Sequence, residues 1–158
     1  MLNLPPEHFG AAVGFILNQR QEALVMIKDD GYPWQDNLVG LFGGKIEGDE
    51  QPIDAFGREV VEEMGPGLIQ KVTYLFEHPF ADTHKNNQRT RNGKLYVHAA
   101  QFTGNISDIR LQEGAGFAFI SEKSLPRFPL ATHNLEALQK AYALLKEGKI
   151  PGYPHYQG

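Results

Sequence analysis

Four residues on one short stretch have the types and spacing to do chemistry: Arg58, Glu59, Glu62 and Glu63. The glutamates stand at i, i+3 and i+4, so on a helix their carboxylates share a face. Like charges this close repel one another, by roughly a few tenths of a kcal/mol per exposed pair and more when partly buried. Arg58 is adjacent and can pair with a carboxylate, but one cation does not neutralise three anions. A hard divalent cation would. Carboxylate and backbone carbonyl oxygens suit Mg²⁺, with Mn²⁺ as the alternative, and such ions keep waters and share a substrate's phosphate oxygens. The competing reading is a solvated acidic face, and the carboxylates alone do not exclude it.

These residues need a helix and a turn to place them. Residues 38–42 form a short apolar run that ends at Gly43-Gly44, where the backbone can approach an ion or a phosphate closely. Asp49 is a candidate N-cap, and Pro52 is tolerated in the first turn. Ile53, Phe56, Val60 and Met64 recur at helical spacing and predict the buried stripe. Gly65, Pro66 and Gly67 then stop the helix.

Around this stretch the chain reads as many short strands and few helices. Residues 1–9 read as an irregular lead-in. Apolar runs at 11–17 and 23–27, split by a polar turn, suit a hairpin. Residues 29–37 are rich in turn formers and contain Trp34, the only tryptophan, which either anchors that loop or lines a ligand pocket. Strands over 68–80 and 94–102 predict a long hairpin whose polar tip, 81–93, holds Lys85, Arg89 and Arg91 and the turn signal Asn92-Gly93. Glu113 lies in a Gly-rich loop before a strand at 117–120. A helix over 132–147, with Thr132 as a capping residue, presents Leu135, Leu138, Ala141, Tyr142 and Leu145 to the core. The tail, 149–158, reads as irregular and loosely ordered.

Length and charge bound the rest. The 158 residues fit a single domain with a real core. A net charge of -4 gives no reason to expect a DNA or RNA polymer as partner. Absence of cysteine excludes disulfides, thiolate metal sites and cysteine nucleophiles. The apolar run at 11–17 is too short to cross a membrane and lacks the basic flank of a signal peptide, so a cytoplasmic location is expected.

The stretch from Gly44 to Gly65 resembles the Nudix box, G-x5-E-x7-R-E-U-x-E-E-x-G-U with U a bulky aliphatic residue. Gly44 opens it, Glu50 follows, then Arg58-Glu59, Val60, Glu62-Glu63 and Gly65; only the last position departs, being Pro66. The box covers about one-seventh of the chain. The resemblance implies an α+β Nudix fold, a mixed sheet sandwiched between helices, and Mg²⁺-dependent hydrolysis of a nucleoside diphosphate linked to a further group. Metal ligands at Glu59, Glu62 and Glu63, with a carbonyl from Gly43 or Gly44, are implied too. Glu50 and Arg58 correspond to a bracing salt bridge, and Glu113 to a loop glutamate that serves as base or extra ligand in MutT-type members. Lys85, Arg89 and Arg91 are candidates for substrate phosphates, Asn134 for a base pocket, and Trp34 for the same pocket wall.

A MutT-like nucleoside triphosphate is the substrate the resemblance favours, giving a monophosphate and pyrophosphate. Nucleoside diphosphate sugars or ADP-ribose are the alternatives, since Phe42 stands where MutT-type enzymes have proline. A catalytically silent nucleotide-binding module is the rival of another class. Oligomeric state is open, a homodimer included.

Overall fold

The computed structural model describes residues 7–29, 32–34, 38–112 and 114–156. Seven strands and two α-helices follow in the order β1 (Glu7–Leu17), β2 (Ala23–Ile27), β3 (Val39–Gly40), β4 (Gly43–Lys45), α1 (Pro52–Met64), β5 (Ile69–Thr83), β6 (Thr90–Phe102), β7 (Gly116–Ile120) and α2 (Thr132–Lys146). The sheet runs β3-β2-β1-β6-β5, with β4 paired to β1 and β7 to β2. It is mixed: β1 and β6 are parallel from Glu7↔Arg91 to Leu17↔Gln101, and the other pairs are antiparallel.

Alternation along the central strands divides the core into two layers. Val13, Phe15, Leu17, Val25, Val97 and Ala99 face α2 and meet Ala137, Leu138, Ala141, Tyr142 and Leu145. Ala12, Ile16, Leu24, Met26 and Ala100 face the other way and meet Phe42, Phe56, Val60 and Met64. The fold is therefore α+β, a mixed sheet between α1 and α2, as the sequence resemblance implies. Phe42 and Phe56 are fully buried, and burying such a side chain contributes about 1.5–3 kcal/mol. Phe42 thus fills the layer that carries α1.

Several local expectations shift. Strand β1 starts at Glu7, inside the lead-in expected over residues 1–9, whose first six residues lie outside the described ones. Asn92-Gly93 is no turn: both lie inside β6, where Gly93 pairs with Phe9 and Phe80. Long-range pairing on both sides outweighs a local turn preference there. Gln51, not Asp49, caps α1, with Pro52 supplying the first turn, and Ala131, not Thr132, caps α2; neither cap uses a side chain. Ile53 is 42% exposed and Ala55 takes its place in the buried stripe. Residues 149–156 of the tail are irregular yet anchored: Ile150 is buried, the Gln21 amide donates to the carbonyls of Pro154 and His155, and the Tyr153 hydroxyl donates to the carbonyl of Lys71. No helix among the described residues is long and apolar enough to cross a membrane.

Candidate active site

Helix α1 packs its Phe56, Val60 and Met64 face on the sheet, which leaves Arg58, Glu59 and Glu62 toward the turn that precedes it. Arg58 ties that turn down. Its Nε and Nη2 donate to the two oxygens of Glu50 at 2.8 and 2.9 Å, and Nη2 also donates to the carbonyl of Lys45 at 3.1 Å. Glu50 in turn accepts from the backbone N–H of Glu47 at 2.9 Å. The Arg58 hydrogen bonds come first, and that backbone bond second, in holding the Glu50 carboxyl down at about 2; Glu50 raises the Arg58 guanidinium in return. A fork-shaped cation suits this role, because it bonds a carboxylate in bidentate fashion and keeps a further edge for others.

The further edge is Nη1. It donates to Glu59 at 2.9 Å and, more loosely, to Glu62 at 3.4 Å. One arginine therefore gathers Glu50, Glu59 and Glu62, with Glu47 at 3.9 Å. Glu63 is the buried member of the three glutamates. It is 2% exposed, and its Oε1 accepts from the backbone N–H of Gly43 at 2.7 Å.

The glycine pair explains how close the helix can come. Gly43 has φ of +137°, and a Cβ there would meet the Ala12 carbonyl at 2.0 Å. Gly44 needs no unusual φ, but a Cβ there would meet the Glu59 carboxyl carbon at 2.5 Å. The Glu59 carboxylate therefore presses directly on the Gly44 backbone.

Among the described residues, no three acidic or histidine side chains converge into a ready metal cage. The donor chemistry nonetheless fits a hard divalent cation: Glu59, Glu62 and Glu63 on one helix end, beside the Gly43-Gly44 backbone. Mg²⁺ needs few protein ligands, since it usually retains waters and takes substrate phosphate oxygens. Glu113 lies outside the described residues.

Beside the glycine pair opens a cavity of about 200 Å³ whose lining includes Gly43, Gly44, Lys45, Asp82, Arg91 and Asn134. Of the basic tip, Arg91 thus reaches the cavity, whereas Lys85 and Arg89 are not in its lining. Trp34 is not in the lining either; its ring sits 4.1 Å from the Arg91 guanidinium carbon and edge-on to His84. Phe9, Lys28, Tyr32, Phe80, Asp82 and His133 also line the cavity, and spacing in the sequence gives no sign of them. They come from separate segments that only the sheet brings together. Burial, chiefly, holds the His133 imidazole below its ordinary value, with Asp82 acting in the opposite direction.

The NUDIX domain model matches residues 8–141, most of the chain. The chain belongs to the Nudix hydrolase family. Membership makes it a hydrolase of pyrophosphate bonds. Among solved structures it is similar to a MutT protein from Methanosarcina mazei Go1 (17% identity over 87% of this chain and 95% of that one, TM-score 0.65). A MutT Nudix hydrolase from Burkholderia pseudomallei is alike at 23% identity, 84% and 97% coverage and TM-score 0.61. An Ap4A hydrolase from C. elegans follows at 16% identity, 88% and 98% coverage and TM-score 0.63. At such identities these likenesses carry the Nudix fold alone. No curated protein sequence matches the chain.

Proposed function

We propose that this Nudix chain is a Mg²⁺-dependent pyrophosphohydrolase acting on a nucleoside triphosphate, with a nucleoside monophosphate and pyrophosphate as products. The observation that carries the reading is the continuity of the acidic end of α1, through Gly43 and Gly44, with a cavity lined by aromatic and polar side chains. Phosphates would lie at the glycine pair and the nucleoside in the cavity.

In the reaction, water forms a new P–O bond as the bridging anhydride P–O bond breaks. The leaving group departs as pyrophosphate, and a carboxylate takes the proton of the water. Glu62 suits that role, as the most exposed of the three α1 glutamates and one held more loosely by Arg58 than Glu59 is. Glu59 and Glu63 would hold the cation, and Arg58 and Glu50 keep the turn in register with the helix. A bound divalent cation would neutralise charge on the phosphate oxygens and lower the pKa of water beside it.

A panel of nucleoside triphosphates, nucleoside diphosphate sugars and ADP-ribose, with Mg²⁺ or with chelator, tests this when products are read by mass. The expected result is a monophosphate and pyrophosphate from a triphosphate, with Mg²⁺ only. Turnover confined to the sugar or ADP-ribose substrates would overturn the triphosphate assignment. No turnover of any of them would overturn the hydrolase reading itself.

A further inference from the structure

A wide cavity of about 1350 Å³ opens at the other end of the sheet and shares no lining residue with the one beside Gly43 and Gly44. Strand β1 runs between the two. Val13 lines the first and Leu17 the second, roughly 13 Å further along at about 3.3 Å per residue. The walls of this second cavity come from the β1–β2 turn, the start of β5, the residues after β6 and the tail.

The walls are tied to one another. Gln21, 8% exposed, donates to the carbonyls of Pro154 and His155, and the Tyr153 hydroxyl donates to the carbonyl of Lys71. The Gln101 amide donates to the carbonyl of Leu17 at 3.1 Å. Gln21 and Lys71 both hold left-handed backbone, with φ of +60° and +55°, where residues other than glycine are uncommon. Strain that neighbouring bonds keep in place is a reason to look for function there.

Charge and hydrogen bonding say what fits. The charged lining residues are Arg20, Glu22 and Lys71. Glu22 accepts from the Asn18 amide at 2.9 Å, whereas the exposed side chains of Arg20 and Lys71 have no hydrogen bond or ion pair among the described residues. The rest of the polar lining is largely neutral, and amides such as those of Gln19 and Gln70 each offer donors and an acceptor. Ile106, 62% exposed, adds an apolar contact. A nucleic acid strand or a polyphosphate carries charge on every unit and takes a groove lined by cations along its length. Two cations and one acid, in a chain of net charge -4, do not match such a strand. A peptide sets neutral units, each with one N–H and one C=O, between a few charged ones. The volume also exceeds the roughly 300–1,000 Å³ of pockets that enclose a drug-sized ligand, so a longer occupant is favoured.

We propose that this groove docks an extended, mildly acidic peptide segment of another protein, with Arg20 and Lys71 on its carboxylates and Ile106 under one apolar side chain. Opposite charges there set the register of the segment. The acidic end of α1 stays open, so the enzyme is held beside a partner while its own site remains free.

Chemical-shift mapping on the isotope-labelled full chain tests this without turnover. The probe is a short glycine–serine peptide carrying two glutamates and one leucine, and its counterpart has lysines in place of the glutamates. The glutamate peptide is expected to move the amide signals of residues 18–22, 70–71 and 103–107 and to leave those of Gly43 and Gly44 in place. It should bind about 10-fold or more tightly than the lysine peptide, the effect of two surface ion pairs made rather than repelled. Arg20→Glu combined with Lys71→Glu reverses the charge at two exposed positions, so the chain should stay folded and prefer the lysine peptide. Should that double variant not fold, Arg20→Glu alone must weaken the glutamate peptide about 3-fold or more. Equal binding of the two peptides overturns the proposal, as does a preference that charge reversal leaves unchanged. Shifts confined to the Gly43 end, or none at about 1 mM peptide, overturn it as well. An oligothymidylate or tripolyphosphate that moves the same signals at lower concentration overturns it in favour of a phosphate chain. Shifts of these signals with protein concentration alone overturn it in favour of a second copy of the chain.

Discussion

The backbone N–H of Gly43 donates to Oε1 of Glu63 at 2.7 Å, joining strand β4 to the last turn of α1 across twenty residues of sequence. One Glu63 oxygen is thereby committed to holding the glycine pair, and the carboxylate is almost wholly buried. Glu63→Gln keeps an oxygen for that N–H but removes the charge. Mg²⁺-dependent turnover should fall by roughly 100-fold or more, since changes one shell further from a metal already cost 10–100-fold. Steady-state kinetics with a circular dichroism melt would check it; full activity in a folded variant would remove Glu63 from the metal site.

Gly44 offers a more local probe. A methyl group there would fall 2.5–2.7 Å from the Glu59 carboxylate, which is the movable end of a side chain. Gly44→Ala should push Glu59 aside and leave the backbone in place. Mg²⁺ affinity and kcat are expected to drop about 10–100-fold. The melting point should move by no more than about 4 °C, the shift that ~1 kcal/mol produces in a domain of this size. Unchanged Mg²⁺ titration curves would show that the contact has no bearing on the metal.

The Glu50–Arg58 bridge predicts a pH dependence of stability. Glu50 titrates at about 2 in the folded chain, against an ordinary value of 4.5, chiefly through its Arg58 hydrogen bonds. The unfolded state therefore binds the proton more readily between these values. The stabilisation is complete above about pH 4.5 and is lost as pH falls toward about 2. Glu50→Gln should lower the melting temperature at neutral pH and converge on the parent chain in acid. A constant difference across that range would show that the bridge does not act through its charge.

How much of this was legible in the sequence depended on how local each feature is. Glu59, Glu62 and Glu63 share a face because helical spacing alone puts them there, so the acidic cluster could be read directly. Three-to-four spacing likewise gave the stripe on α2, although Ile53, 42% exposed, shows that periodicity alone does not fix which helix-end residue is buried. The cavity could not be read. Phe9, Tyr32, Asp82, Arg91 and Asn134 are far apart in the chain, and the parallel pairing of β1 with β6 is what brings Phe9 beside the Arg91 region. No periodicity encodes that register. The same pairing accounts for Asn92-Gly93, a turn in local preference and a strand in the fold.

His98 supplies the last prediction. Its ring is fully buried, lies parallel to Phe56 at 5.2 Å between centroids, and sets Nδ1 3.4 Å from the Val13 carbonyl, while Nε2 is buried with no hydrogen-bond partner among the described residues. Burial is the main reason the imidazole sits below its ordinary value of 6.5. Below about pH 6.5 the unfolded chain gains a proton that folded His98 resists, so stability should decline as pH falls through that point. His98→Phe retains an aromatic face for Phe56 and removes the buried nitrogens, so its melting temperature should depend less on pH between about 6.5 and 5. The lost bond to Val13 leaves that carbonyl less well satisfied, which tends to destabilise the variant at neutral pH by about 1–3 kcal/mol at most. The slope is therefore the decisive readout. Parallel curves for the two chains would assign the acid sensitivity to other groups, with His133 the first to replace, because burial lowers it as well.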